Sequence, residues 1–340
     1  MTLPGITNPA VPYGSTIVVT GCSGFIGSHV VDQVLAAGYK VRGTSRDAKK
    51  NQWVKAYFDN KYGEGQFELI TVPDLTEEKA FTEVVKGAGG FIHVAHDMRG
   101  SGDPAIAIPH AVNMALSALK ASSAAGIRRF VYTSSSFAVT QPKPGVKFTV
   151  SESTFNEDAI RAVKERGQDA GGPTVYAASK VEVERAMQKW KKETNAQINI
   201  NCVNPNANLG PVLQPQHQGY PTTAGWVKNL WDGKYDALKQ VPEHFIDVRD
   251  DAKLHVIALA HPDVQERRLL GMVAPAPIGR IVDILRDLYP ERSFEDFEDQ
   301  GTDEITNAEK SKVEELLKET YGHGYTGLEE SIKANALELK

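Results

Sequence analysis

The stretch Thr16-Ile-Val-Val-Thr-Gly-Cys-Ser-Gly-Phe-Ile-Gly27 decides the fold. Thr16 to Thr20 is a short β-branched run of the kind that forms a buried strand. Ile26, Val30, Val34 and Leu35 then recur at helical spacing, and Gly38 marks the stop. Between strand and helix stand Gly21, Gly24 and Gly27. In that place Gly21 permits a tight turn, Gly24 lets the backbone approach a pyrophosphate, and Gly27 allows close helix–strand packing. The helix N-terminus adds free N–H groups and the positive end of its dipole. The spacing is GxxGxxG, not GxGxxG, and glycines here also serve as bare turn punctuation. The surroundings must therefore carry the reading.

Outward from this stretch, short apolar runs alternate with helical patterns. Val41 to Thr44 and Phe67 to Val72 read as strands, and Thr76 with Glu77 and Glu78 reads as a capped helix start. Phe91 to Ala95 is a fourth strand, Ala111 to Ala125 a helix and Phe130 to Thr133 a fifth strand. Tyr176 to Lys192 is a long helix and Ile198 to Val203 a sixth strand. Such alternation predicts βαβ units and an α/β fold, a doubly wound parallel sheet of the Rossmann type. After Pro205 the rhythm breaks into a loop-rich region. A short βα unit follows, Phe245 to Val248 then Ala252 to Ala260, and from Pro275 onward the chain is helical and acidic. The predicted division is an N-terminal arm (1–14), a dinucleotide-binding domain (15–205 and 244–262) and a smaller, mainly helical substrate-binding cap (206–243 and 263–340).

Composition narrows the function. At 340 residues the chain has room for two folding units, and 41% hydrophobic with 24% charged residues is globular. A net charge of −5 argues against a duplex-binding surface. Cys22 and Cys202, the two cysteines, offer neither a disulfide framework nor a CxxC metal pattern, and read as reduced buried thiols. Met1 to Gly14 has three prolines and no basic residue, unlike a targeting leader. No apolar run approaches the ~20 residues that span a bilayer. A cytoplasmic protein without nucleic-acid or membrane partners is expected.

The second strand ends Gly43-Thr-Ser-Arg46, where an NAD site usually has a carboxylate for the ribose 2′-hydroxyl. Arg46 can instead pair with a 2′-phosphate, and Lys49 or Lys50 can assist, although a basic turn can also be merely solvated. This favours NADPH. Asp74, just past the third strand, is placed to accept from an adenine amino group, or is a turn acid.

Tyr176-Ala-Ala-Ser-Lys180 sets a phenol and an ammonium at i and i+4 on one helix face. A neighbouring ammonium favours the phenolate, which suits proton transfer near neutrality. Thr133-Ser-Ser-Ser136 lies at the carboxyl end of the fifth strand, the edge where open α/β sheets bind ligands. A serine hydroxyl there can hold a carbonyl oxygen towards the tyrosine.

These elements resemble the extended subgroup of the short-chain dehydrogenase/reductase superfamily over nearly the whole chain, from about Ser15. The carrying residues are Val19 to Gly27, Val41 to Arg46, Phe91 to Ala95, Arg128 to Ser135, Tyr176 to Lys180 and Asp247 to Asp251. Within it the chain is most similar to dihydroflavonol 4-reductase and cinnamoyl-CoA reductase relatives, and especially to fungal NADPH-dependent aldehyde and ketone reductases. The resemblance implies Ser135 as catalytic serine, Tyr176 as acid, and Lys180 as its partner and a nicotinamide-ribose contact. Pro205 would border the nicotinamide. The implied cofactor contacts are then Gly21, Ser23, Gly24, Phe25, Ile26, Gly27, Arg46, Asp74, Leu75, Ala95, Tyr176, Lys180 and Pro205. Two departures touch the substrate side. His96-Asp97 stands where plant reductases have Thr-Pro or Ser-Pro, and Met114 after Asn113 replaces a glycine.

The implied activity is NADPH-dependent reduction of a small aldehyde or ketone by a monomer or homodimer. The rivals are a nucleotide-sugar epimerase or dehydratase, disfavoured by Thr44, and a non-catalytic NADP-sensing module, disfavoured by Tyr176 and Lys180. His93 and His96 lack companions for a metal site and read as a strand residue and a pocket-edge residue. Trp226, Trp231, Tyr220 and Phe245 either line an apolar pocket or form the cap's own core. Glu291 to Glu304 reads as a solvated face, and Gly322 to Tyr325 as a turn before the last helix.

Overall fold

The computed structural model describes residues 2–97, 102–238, 243–301 and 303–339. The strands are β1 Thr16–Thr20, β2 Lys40–Ser45, β3 Phe67–Thr71, β4 Ala88–His93, β5 Arg129–Thr133, β6 Phe148–Val150 and β7 Asn199–Pro205. There follow β8 Ala207–Leu209, β9 Glu243–Asp247, β10 Arg268–Gly271, β11 Ala274–Ala276 and β12 Ile305–Asn307. The helices are α1 Phe25–Ala36, α2 Gln52–Tyr62, α3 Pro104–Ala124, α4 Glu157–Arg166, α5 Gly172–Thr194 and α6 Pro215–Gln218. Beyond them lie α7 Gly225–Trp231, α8 Val248–Ala260, α9 Ile278–Leu288, α10 Lys310–Tyr321 and α11 Leu328–Ala336.

Seven strands form one parallel sheet in the order β10-β7-β5-β4-β1-β2-β3. Helices α1 and α8 cover one face, α3 and α5 the other. Burial on both faces explains the unbroken Ile17-Val-Val19 run: Ile17 and Val19 enter one apolar cluster and Val18 the opposite one. The chain runs outward from β1 through β2 and β3, then returns to β4 and proceeds the other way. The crevice beyond the carboxyl ends of β1 and β4 is thus the switch point where such sheets take ligands.

The expected alternation is present, with corrections. No helix forms at Thr76. Asp74 Oδ1 accepts from the Thr76 N–H (2.8 Å) and hydroxyl (2.7 Å), and residues 75–87 wind as successive turns. The Thr76 hydroxyl, which a cap would turn to the amides ahead, is turned back to Asp74 instead. The βα unit after residue 240 splits. Helix α8 packs on the main sheet, but β9 pairs with β8 and β11 in a separate three-stranded sheet. Conversely β10, beyond the boundary drawn at 262, is the seventh strand of the main sheet and pairs with β7.

The first residues pack down rather than extend. Leu3, Ile6 and Val11 are buried, and the Ala10 N–H donates to the Ala260 carbonyl (2.8 Å). Trp226 and Phe245 sit in the main apolar cluster, and Trp231 meets Tyr289 edge-on at 4.9 Å, which makes these aromatics core. The acidic run is mostly exposed, but Asp299 accepts from the first N–H groups of α9, and buried Asp303 accepts from His244 Nδ1 at 2.6 Å. Among the described residues no helix is long and apolar enough to cross a membrane.

Candidate active site

Three glycines shape the β1–α1 turn by different means. Gly21 has φ +67°, a conformation that side chains disfavour. A Cβ on Gly27 would stand 2.0 Å from the Gly21 carbonyl oxygen, so only glycine lets α1 approach the turn. Gly24 is the exposed N-cap, without a capping side chain, and the first-turn N–H groups of α1 have no partner inside the helix. Phe25 is buried with Val212, Ala224 and Val248, while Ser23 and Ile26 are half-buried.

A segment that the sequence reading left as loop lies against this turn. Gln218 Nε2 reaches the carbonyls of Ser23 and Gly24 (both 3.2 Å) and the Ser28 hydroxyl (3.0 Å). His217 stacks on Trp53 of α2, centroids 5.1 Å apart and planes within 5°. No local pattern announces contacts made across some 190 residues of chain.

Arg46 directly follows β2, is exposed, and forms no ion pair among the described residues; Lys49 and Lys50 are exposed nearby. Asp74 is exposed, and its two bonds from Thr76 hold its carboxyl below the usual range. Leu75 is half-buried beside it. At the switch point, the Ala95 N–H donates to the Thr20 hydroxyl (3.0 Å), which also meets His93 Nδ1 (3.1 Å). Pro205 closes β7, buried and in register with Gly271.

The strand end and helix expected to carry chemistry do come together. Ser135, just beyond β5, accepts the Phe137 N–H (3.1 Å), and its side chain lies near enough to the Tyr176 phenol to act on it. Burial raises the Tyr176 phenol above its ordinary value; the Ser135 side chain opposes this, and the charge of Glu243 adds to it. That corrects the expectation of a phenol lowered by its lysine. The Lys180 ammonium is turned instead to the Thr133 carbonyl (2.9 Å) and the Tyr132 hydroxyl (3.2 Å), 5.8 Å from the Tyr176 ring centre. Burial brings Lys180 itself down to about 7.

His96 meets the Tyr176 ring edge-on at 5.2 Å, as a pocket-edge residue should, and Phe137 does so at 6.1 Å. Desolvation holds His96 well below its usual range, hence neutral. His93 is buried among Phe91, Phe130 and Tyr132, and burial takes it to about 3. Asn113 is exposed on α3 and Met114 buried. Phe137 and Glu243 were not singled out beforehand. Glu243 opens β9, and desolvation lifts its carboxyl to about 7. Among the described residues no group of three His, Cys, Asp or Glu is placed to hold a metal ion.

A family profile described as the NAD dependent epimerase/dehydratase family matches residues 17–270. The chain belongs to this family. It is 35% identical over 335 residues to aldehyde reductase 2 of Sporidiobolus salmonicolor, covering 96% of this chain and 97% of that one. It is 37% identical over 338 residues to ketoreductase adrE of Penicillium rubens, with the same coverage of 96% and 97%. Among solved structures, yeast methylglyoxal/isovaleraldehyde reductase Gre2 complexed with NADPH superposes with a TM-score of 0.80 over 94% of this chain and 97% of that one. At 24% identity that likeness speaks for the fold. The curated relatives confirm the extended dehydrogenase/reductase membership inferred from the motifs.

Proposed function

We propose that this protein is an NADPH-dependent carbonyl reductase that converts a small aldehyde or ketone to the alcohol. The observation that carries the reading is the proximity of the Ser135 side chain to the Tyr176 phenol at the carboxyl edge of the sheet, with the Lys180 ammonium one helical turn away. The reductase names of the relatives support it.

The residues present fit a dinucleotide. The α1 N-terminus offers unpaired N–H groups behind Gly24, which has no side chain to bar a pyrophosphate. Arg46, which forms no ion pair among the described residues, is a cation where the second strand ends. Ser23, Phe25 and Ile26 would complete the phosphate contacts, with Asp74 and Leu75 at the adenine, and Ala95, Lys180 and Pro205 along the nicotinamide ribose. NADPH bound there supplies the hydride.

The chain's own residues supply the proton. A phenol held above its ordinary value stays protonated through the neutral range, ready to give its proton to the substrate oxygen. The Ser135 hydroxyl holds that oxygen towards Tyr176. As the C–O bond is reduced, the Tyr176 O–H bond breaks and the alcohol O–H forms. The phenolate left behind is stabilised by Ser135 and by the Lys180 ammonium. His96 and Phe137 flank the ring and shield it from water.

The direct test mixes purified protein with NADPH and a panel of aldehydes, ketones and UDP-sugars. Loss of NADPH absorbance with the carbonyl compounds, and alcohol as product, is expected. Epimerisation of a UDP-sugar without net NADPH consumption would overturn the reading. The cofactor preference has its own test. A hydrogen bond to a charged group contributes about 1.5–3 kcal/mol. Arg46→Ala should therefore weaken NADPH binding about 10–150-fold while hardly changing NADH, with no change in melting temperature. Equal losses with both cofactors would sink the 2′-phosphate role.

A further inference from the structure

Behind the catalytic face of α5 lies a charged group that the chemistry above does not use. Glu184 follows Lys180 by four residues and Tyr176 by eight, so the three share one helix face. Its side chain is almost wholly buried (2% exposed). Oε1 accepts from the Ser134 hydroxyl and from Asn204 Nδ2 (2.8 Å), and the same amide nitrogen donates to the Ser135 carbonyl (3.1 Å). Oε2 accepts from Arg268 Nε at 2.6 Å. Arg268 is in turn fixed by the carbonyls of Glu152 (2.9 Å) and Thr154, and lies over the Phe155 ring at 4.1 Å. One carboxylate thus ties α5 to the end of β5, to β7 and to β10.

We propose that Glu184 is a positioning residue for the reductase site: it fixes the backbone of Ser135 through Asn204 and serves as the buried counter-ion of the Lys180 ammonium. The inference rests on the reductase reading given above. A buried ion pair is an expensive way to join elements, since an apolar pair of similar volume often holds them as well. Its position beside Ser135 and Lys180 is explained if the negative charge has a task.

The groups around Lys180 leave that task to Glu184. From β5 come the Tyr132 hydroxyl, held well above its ordinary value by burial, and the Thr133 carbonyl. From β4 and the loop after it come His93 and His96, both held neutral by burial. From β7 comes the Cys202 thiol, raised well above its usual range and so protonated. Tyr176 on the same helix is a neutral phenol, and Arg268 on β10 is the ion-pair partner of Glu184 itself (2.6 Å). Against the larger effect of desolvation, Glu184 is the first of the neighbours that raise Lys180, with Cys202 after it.

The sign of the effect follows. Removing the Glu184 charge lowers the Lys180 titration further. A unit charge about one helical turn away, at an effective dielectric of ~20, displaces a titration by about 1–2 pH units. Two readouts test this on Glu184→Gln. The first is the 13Cε resonance of Lys180 in the full-length protein without cofactor or substrate, assigned by its loss in Lys180→Met. It should titrate about 1–2 pH units lower in the variant than in the parent. The second is the pH profile of kcat/KM, whose alkaline limb should move to lower pH by the same amount. Because Gln strands the Arg268 charge, Glu184→Gln/Arg268→Gln is made as well; it keeps hydrogen-bonding groups on both sides and leaves no lone charge. Loss of the Arg268 cation offsets part of the lost attraction, so the shift expected there has the same sign and is smaller. An unchanged Lys180 resonance in either folded variant overturns the proposal. The resonance is read without turnover, so this outcome is separate from any failure of the reductase assay.

Discussion

Tyr176→Phe lowers kcat by at least about 100-fold while leaving NADPH affinity nearly unchanged. Proton donation by a positioned group in the transition state is typically worth about 10²–10⁴-fold, and the substitution removes that proton with little else. The phenyl ring still meets His96 and Phe137, which contact the ring and not the oxygen. Lys180 does not depend on the hydroxyl either, because its ammonium bonds Thr133 and Tyr132. Stopped-flow single turnovers with a good aldehyde substrate would read the chemical step, and fluorescence titration the NADPH affinity. A rate within a few-fold of the parent would overturn the mechanism and require another acid. The structure names the first to try. It is Glu243, whose charge is felt by Tyr176 and whose carboxyl burial lifts to about 7. A fast Tyr176→Phe enzyme that Glu243→Gln then silences would move the proton donor to β9.

The parts of this architecture written in local pattern were legible in the sequence. The β-branched Ile17-Val-Val19 run announced a strand buried on both faces, and the helical spacing of Val30 and Val34 announced α1. The pairing of Tyr176 with Lys180 is a matter of helix periodicity, and the serine run sits at a strand end. Each of these depends on neighbours within a few residues. What escaped depends on partners far along the chain. Arg268-Leu-Leu-Gly271 is too short to declare itself a strand, and becomes one because β7 offers an open edge. Gln218 finds the glycine turn, and Arg268 finds Glu184, only once the fold has closed. The Thr76 helix failed for the opposite reason. There a local competitor, the Asp74 carboxylate, holds the Thr76 hydroxyl that the expected cap would have turned to the amides ahead. The Lys180 ammonium illustrates a third limit. Spacing puts it on the face of Tyr176, but the carbonyl and hydroxyl that claim it come from β5.

Gly27→Ala and Gly24→Ala should separate two requirements that the sequence motif presents as one. In an ordinary helix interior, replacing glycine by alanine is favourable by about 1 kcal/mol. At Gly27 the new Cβ would stand 2.0 Å from the Gly21 carbonyl oxygen and 2.8 Å from its carbon, both backbone atoms that cannot rotate away. Overpacking of this kind typically costs about 1–3 kcal/mol. The expected net result is a lower melting temperature together with weaker NADPH binding, since the turn must open to admit the methyl. Gly24 is different. It is exposed, its φ of −78° suits any L-residue, and its Cβ would lie 3.3 Å from the Gly21 oxygen, a contact that a small shift relieves. Gly24→Ala should melt within a degree or two of the parent. If the open backbone at Gly24 exists to admit a pyrophosphate, the methyl intrudes on that approach, and NADPH affinity should fall about tenfold or more, an effect of about 1.4 kcal/mol. Calorimetric melting and NADPH titration on the two variants decide the matter. A Gly24→Ala protein that binds NADPH like the parent would remove the phosphate from this turn. A Gly27→Ala protein as stable as the parent would show that α1 does not need its close approach to Gly21. The pattern that supports both assignments is a loss of binding shared by the two variants and a loss of stability confined to Gly27.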